Sequence, residues 1–337
     1  MVAFEKAPPE ARKLLGVPVR EVGMSLESSP VAPLVRRLYS ELEYKGLHHF
    51  RPYCYLSDEW GSPTGEPVIG IPFYLGDPRV AELEAAANDV EDEREIMMYL
   101  RHEAGHAFNH AYELARSDRW RDLFGSSRRP YRDDYPFLPF SRDFVRHIAG
   151  WYAQKHPDED FAETFAVWLD PLSNWRQRYH DWGAMRKLLY VEEIANELRD
   201  VAPLRPHGET DITVEEMEVT VEEMLRRYHV DESEMIRDLP LDADLIDIFA
   251  PDAGNDGEQN AADVAARHRR AIIDKVHYWT GVRRTLARAL VLRVEQRLRE
   301  LDLKGSESAI IELTVYITTL AMTFLTGDRR LRHRRKA

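Results

Sequence analysis

Two histidines four residues apart, His102 and His106, enclose a glutamate at position 103 in the segment HEAGH. On a helix, residues four apart lie within about 40° of each other around the axis, so both imidazoles can reach one metal ion from the same face. The Glu103 carboxylate would lie beside that ion, where it can take a proton from water and later deliver it to a leaving nitrogen. This spacing predicts zinc-assisted hydrolysis.

Small residues surround the two histidines. Ala104, Gly105 and Ala107 leave room near a metal and for close packing of another helix. A glycine inside a helix is less favourable than alanine by about 1 kcal/mol, so glycine at position 105 indicates a close approach at that point. A catalytic zinc site also requires a third protein ligand and one open position for water. Another part of the chain should supply that ligand.

The residues just downstream of HEAGH do not supply it. A metzincin would carry a glycine at position 109 and a third histidine at position 112, whereas this chain has Asn109 and Tyr112. His110 lies one turn beyond His106, but three ligands along one straight helix cannot surround a single ion. We therefore interpret His110 as a structural residue.

A second segment, residues 151–166, offers three candidates for this ligand: Glu159, Asp160 and Glu163. Glu159 and Glu163 are four residues apart and therefore lie on one helix face. Apolar residues interleave with the acids and indicate a largely buried helix, in which unpaired carboxylates would be expensive. They are Phe161, Ala162, Phe165, Ala166 and Leu169. On the residues alone, any of the three acids could be the third ligand.

This segment resembles the glutamate zincins, or gluzincins, in which a glutamate on a second helix is the third zinc ligand. The stretch Glu-Asp-Phe-Ala-Glu-Thr-Phe at 159–165 is similar to the corresponding helix of lethal-factor-like toxins and of bacterial proteins described as zinc-binding metallopeptidases. Similarity to the bacterial proteins extends over about residues 72–198. The resemblance implies that Glu159 binds the metal and that Glu163 supports the first histidine.

The same resemblance draws attention to Tyr152, seven residues before Glu159. Lethal-factor-like enzymes carry a tyrosine at this position that is aimed at the metal. A phenol there could stabilise the oxyanion of a tetrahedral intermediate, because a preplaced donor meets the developing charge. The alternative interpretation of Tyr152 is an ordinary packed aromatic residue.

Composition narrows the choice of partners and compartment. The 337 residues have a net charge of -13, opposite to that expected of a nucleic-acid-binding protein, so we expect no nucleic-acid partner. The single cysteine, Cys54, allows no internal disulfide, and the first residues lack an apolar export signal, which together favour the cytoplasm. The most apolar stretch, 310–325, is too short to cross a bilayer and predicts a buried helix with no membrane association.

We expect a predominantly helical α+β fold in three parts. They are an N-terminal helical extension (1–46), a zincin-like metallopeptidase domain (47–202) and a C-terminal all-α unit with a basic tail (203–337). In the middle part, residues 50–75 predict a hairpin or small sheet in which Pro72 places its strand at an edge. The helix with HEAGH, an aromatic connector (117–147) that folds over another element, and a second helix (157–169) follow.

The C-terminal part begins with a predicted linker at 203–210. Thr220 and Glu223 have the spacing of a capping box that opens the next helix. An acidic break follows at 251–258, and two long helical patterns cover 260–303 and 306–326. Long apolar helices of this kind are more often a core than a docking surface.

These patterns favour a zinc-dependent hydrolase of peptide or amide bonds that acts on a peptide or protein substrate. The edge strand at 68–75 could pair with an extended substrate. One alternative is a zinc-stabilised binding or regulatory protein without catalysis, and another is a hydrolase of a small non-protein amide. A further alternative places the function in the C-terminal unit, with the zinc domain as a scaffold.

Overall fold

The computed structural model describes residues 4–88, 90–132, 135–227, 236–249 and 259–334, with the backbone alone from 326 onward. The chain divides into two compact units, Met1–His229 and Val230–Ala337. Each unit has its own cluster of buried apolar side chains. This division differs from the predicted three parts, whose boundaries fell at 46/47 and 202/203.

Helices dominate the first unit, together with one two-stranded sheet. The helices are α1 Pro9–Arg12, α2 Ala32–Tyr44, α3 Pro78–Ala87, α4 Glu93–Tyr112, α5 Asp118–Phe124, α6 Pro157–Leu169, α7 Trp175–Arg178, α8 Met185–Glu197 and α9 Val221–Arg227. Single 3-10 turns cover Val19–Glu21, Phe73–Gly76, Leu114–Arg116, Tyr152–Gln154 and Val214–Glu216. The strands are β1 Tyr53–Ser57 and β2 Val68–Pro72.

The first 46 residues are part of the first unit and not a separate extension. Val19 and Leu38 are fully buried in the same apolar cluster as the strands and α4. The backbone N–H of Val19 also donates to the carbonyl of Val219. The predicted linker at 203–210 is likewise bound to this unit, because the N–H of Arg205 donates to the carbonyl of Ala111 at 3.0 Å. The two predicted domain boundaries, at 46/47 and 202/203, are therefore not observed, because contacts between distant segments join both regions to the first unit.

The sheet is a parallel pair and not a hairpin, with Tyr53 opposite Val68. All five residues of β2 are buried. On the side away from β1, Gly70 exchanges two backbone hydrogen bonds with Gly61. The predicted strand at 68–75 also ends at Pro72, where a 3-10 turn begins. Because Gly61 occupies the outer N–H and carbonyl of Gly70, the outer edge of β2 is not open to a substrate strand at that residue.

Helices α4 and α6 begin at local capping signals. Asp92 and Glu95 form a capping box that opens α4: each side chain accepts a hydrogen bond from the backbone N–H of the other residue, at 2.9 and 3.0 Å. Helix α6 begins at Pro157 and ends at Leu169, as predicted. The Thr220–Glu223 capping box that opens α9 is also confirmed.

Gly105 lies where α4 meets α6. A Cβ atom at this position would be 2.7 Å from the Cα of Ala162, closer than carbon atoms approach each other in folded proteins. The mid-helix glycine therefore allows the backbones of the two helices to approach closely. This packing positions the first turn of α6 against the histidine face of α4.

The second unit is mainly helical, with α10 Asp242–Ile248, α11 Ala261–Thr280, α12 Arg284–Glu300 and α13 Ala309–Arg334. It also contains a short antiparallel pair, β3 Gln259–Asn260 and β4 Lys304–Gly305, so it is not all-α. The single helix expected over 260–303 is broken at Gly281, which has a φ of 73° and ends α11. Glycine adopts this left-handed conformation without the strain of a side chain.

Helix α13 differs from the buried helix expected over 310–325. Leu313 and Ile317 are buried, whereas Ile311 and Val315 are exposed, so the helix is amphipathic. No helix in the described ranges combines the length and the apolar character needed to cross a membrane. The acidic break at 251–258 and the side chains of the basic tail lie outside the described residues.

Candidate metal centre

Three side chains from two helices converge at one point. His102 and His106 lie on successive turns of α4, and Glu159 lies on the first turn of α6. Glu159 Oε2 is 3.0 Å from His102 Nε2 and 3.2 Å from His106 Nε2, and the two Nε2 atoms are 3.2 Å apart. These atoms lie within 4.8 Å of one another and form a group that could hold a metal ion.

The other two candidate ligands on α6, Asp160 and Glu163, contact different partners. Glu163 is fully buried, and its Oε1 lies 2.9 Å from His102 Nδ1 while its Oε2 accepts a hydrogen bond from the N–H of Ile148. A carboxylate at Nδ1 keeps a proton on that nitrogen, which leaves Nε2 as the atom of His102 that would bind a metal ion. Asp160 pairs with Lys187 at 2.6 Å. The structure therefore places Glu159, and neither Glu163 nor Asp160, beside both imidazoles.

The ionisable side chains at this point shift one another's pKa values. Burial opposes protonation of His102, but hydrogen bonds with Glu159 and Glu163 outweigh it and raise the pKa of the imidazole. Burial would raise the pKa of Glu159, but the facing His106 and His102 hold the pKa of this carboxyl well below its usual range. Without metal, a proton is therefore retained among the groups that would bind the ion, so protons and metal compete for the same atoms.

Glu103 is buried beside the two histidines but is not paired with them. Only 6% of its surface is exposed, and its carboxylate makes no hydrogen bond to another residue that the structure describes. Burial, opposed by His102 and His106, raises the pKa of Glu103. A buried carboxylate without a hydrogen-bond donor is unfavourable unless the site uses it.

Tyr152 lies at the same place, on the 3-10 turn before α6. Its ring centroid is 5.6 Å from that of His102, and its hydroxyl is 3.3 Å from the hydroxyl of Tyr131. Burial, followed by the charge of Glu159, raises the pKa of Tyr152 far above its ordinary value. The phenol is therefore a neutral donor at physiological pH.

Tyr131 is a site residue that the sequence patterns did not single out. Its hydroxyl donates a 2.6 Å hydrogen bond to Glu159 Oε1, the carboxylate oxygen that does not face the histidines. The Lys155 ammonium lies 4.2 Å from its ring centroid. Tyr131 belongs to the aromatic connector, which is joined to the start of α6 by a hydrogen bond between His156 and the carbonyl of Arg129. In the sequence, the aromatic residues of the connector were the one feature that could have indicated a role for Tyr131 at the site.

His110 does not join the group. Its Nδ1 donates to the carbonyl of Glu66 at 3.1 Å, and burial lowers its pKa to about 4. The side chain is therefore neutral and engaged with the backbone before β2, which agrees with a structural role.

Residues 76–204 match the model of a protein family described as "Putative zinc-binding metallo-peptidase". The match covers less than half of the chain but includes all of α4 and α6. Neither the curated proteins nor the solved structures contain a significant match. The matched segment supports a metallopeptidase domain, and the histidine and carboxylate donors suit the zinc that the family description names.

Proposed function

We propose that this protein is a gluzincin-type, zinc-dependent hydrolase of peptide or other amide bonds, with His102, His106 and Glu159 as the zinc ligands. The observation that carries the proposal is Glu103, whose buried carboxylate lies beside the histidines and accepts no hydrogen bond from any residue that the structure describes. A site that only stabilises the fold has no use for such a group. A hydrolase needs it as a general base.

Bound zinc would supply Lewis acidity, which polarises a scissile carbonyl and makes water more acidic. Glu103 would take the proton from the attacking water and deliver it to the leaving nitrogen. The raised pKa of Glu103 suits this role, because a base that must also act as an acid works best with a pKa near the operating pH. Tyr152, as a neutral donor, would meet the oxyanion.

Supporting residues would hold this arrangement. Glu163 orients His102 through Nδ1, and Tyr131 orients Glu159 through Oε1. Such outer contacts fix the direction of ligand lone pairs. The buried thiol of Cys54, the single cysteine of the sequence, suits a reducing compartment, so we place the reaction in the cytoplasm.

Replacing one atom of Glu103 tests the proposal. Glu103→Gln keeps the size of the side chain and removes the base, so zinc content and thermal stability should stay near wild type while the rate falls by about 10²-fold or more. The matched control is Glu82→Gln, an exposed glutamate on α3. All three zinc-loaded proteins are incubated with a peptide library, and new amino termini are counted by mass spectrometry.

The outcome separates the proposal from its alternatives. Equal product from wild type and Glu103→Gln would exclude the mechanism. No peptide product from wild type would favour either a zinc-stabilised scaffold or a small non-protein amide substrate. A screen of acylated amino acids, read by release of the free amine, distinguishes these two.

A further inference from the structure

A cavity of about 920 Å³ opens beside the C-terminal end of α4, one helical turn beyond His106. Its wall includes Asn109, His110 and Glu113 from α4 itself. The ring of His110 stacks on that of His106 with centroids 6.3 Å apart. The cavity is therefore adjacent to the candidate metal centre, and its size is within the range of pockets that bind small ligands or single peptide residues.

Four arginines line this cavity: Arg116, Arg121 and Arg128, which are close in sequence, and the distant Arg205. Glu113 is the one acid among the described lining residues. Arg116 pairs with Glu113, Arg121 with Asp118 and Arg205 with Glu66. These pairs leave one uncompensated positive charge, at Arg128, in a chain whose net charge is -13. An anion would gain from entering it.

Two of the guanidinium groups, those of Arg121 and Arg205, are oriented by contacts with other residues of the protein. Arg121 donates to the carbonyl of Arg116 at 2.7 Å and pairs with Asp118. Arg205 donates to the carbonyl of Gly65 and to Glu66 Oε1. Each guanidinium has five N–H groups, so these contacts leave donors for a ligand. Groups that are already oriented lose less entropy when the ligand binds.

Arg128 differs from the other three arginines of the cavity in its contacts. It lies on the exposed rim, and its guanidinium forms no ion pair with any residue in the described ranges. A substitution at this position removes a positive charge without leaving an internal acid unpaired. Arg128 is therefore the position at which the charge of the cavity can be changed with the least effect on folding.

We infer that this cavity binds a carboxylate of the substrate, an inference that rests on the proposed hydrolase function. Guanidinium groups bind carboxylates through paired, charge-assisted hydrogen bonds. One helical turn advances about 5.4 Å, whereas an extended peptide advances about 3.3 Å per residue. The carboxylate thus belongs to a residue about one or two positions from the scissile bond. It is either an Asp or Glu side chain or the carboxyl terminus of a peptide.

The test measures binding without turnover, on zinc-loaded Glu103→Gln protein. The probes are three pools of fluorescent octapeptides: an amidated pool with one Glu fixed at each position in turn, a matched Gln pool, and the Gln pool with a free carboxyl terminus. Binding is compared with and without the additional change Arg128→Gln or Arg128→Glu. The matched control is Arg36→Gln, an exposed arginine on α2 outside the cavity.

We expect one of the two carboxylate-bearing pools to bind about 10-fold or more tightly than the amidated Gln pool, the usual size of a charged hydrogen-bond effect. The pool that binds identifies the source of the carboxylate. Arg128→Gln should remove most of this preference, Arg128→Glu should remove all of it, and Arg36→Gln should leave it unchanged. Equal binding of all three pools, or a preference that persists in both Arg128 variants, overturns the inference.

Cleavage of the same pools by wild-type protein separates this inference from the proposed function. Carboxylate pools that bind through Arg128 but are not cut would retain the anion site and reject the peptidase. Pools that are cut equally well with and without the carboxylate would retain the peptidase and reject the anion site.

Discussion

Glu159 and Glu163 lie one turn apart on α6 but face different atoms of the histidines. Glu159 faces both Nε2 atoms, whereas Glu163 accepts from the Nδ1 of His102. Glu163→Gln should therefore weaken zinc binding by about 10 to 100-fold, the usual effect of losing a group that orients a ligand. Glu159→Gln should weaken it further, because a charged donor to the ion is lost.

Competition with a chromophoric chelator measures both affinities, and Glu82→Gln serves again as the control. The order of the two losses is decisive. A greater loss in Glu163→Gln would exchange the roles assigned to the two acids.

His110 makes the stability of the metal-free protein depend on pH. Its pKa is lowered from 6.5 to about 4 by burial, so the unfolded chain takes up the proton before the folded protein does. The contribution to stability is fully present above pH 6.5 and is lost as the pH falls toward 4. Between pH 7 and 5, wild type should lose about 2 kcal/mol more than His110→Gln.

Urea unfolding of both chelator-treated proteins at several pH values measures this difference. Chelation ensures that zinc release does not contribute, and the titration of His102 and His106 is common to both proteins. Parallel stability curves would show that His110 titrates normally in the fold.

At the scale of elements, the contact between α4 and α6 positions the candidate metal centre. Gly105→Ala would place a methyl group 2.7 Å from the Cα of Ala162. Overpacking of this kind destabilises by about 1 to 3 kcal/mol, which exceeds the gain in helix propensity. Because α6 must move away, zinc affinity should fall together with stability.

Gly16→Ala is the matched control, since a Cβ at that position would meet nothing within 4 Å. It should change the free energy of unfolding by less than about 0.5 kcal/mol. Chemical denaturation and zinc titration of both variants test the prediction. Unchanged zinc affinity in a destabilised Gly105→Ala would show that α6 repacks without moving Glu159.

At the scale of the whole molecule, the two buried clusters share no residues. The first ends at Leu225 and the second begins at Ile236. The fragment 1–229 should therefore fold alone and bind one zinc ion with nearly the affinity of the full chain. The shorter fragment 47–202 should not, because it lacks core residues such as Val19 and Leu38. Circular dichroism and zinc content of the two fragments provide the measurement.

Features encoded by nearby residues could be predicted from the sequence. Helical periodicity places His102 and His106 on one face, and Pro157 marks the start of α6. These signals act within one or two helical turns and do not depend on the rest of the fold. The small sheet was also predictable, but the parallel pairing of its strands was not, because pairing depends on the path of the chain between them.

Tertiary packing decided the features of the site that no local sequence pattern predicts. Which acid of α6 lies beside the imidazoles depends on the rotation of α6 against α4, and that rotation is set by the contact at Gly105. Tyr131 reaches Glu159 only because the connector folds over the start of α6. Three of the cavity arginines fall within residues 116–128, and Arg205, far away in sequence, joins them only in the folded chain. No local pattern joins such positions, since their proximity arises only when the burial of the whole core brings distant segments together.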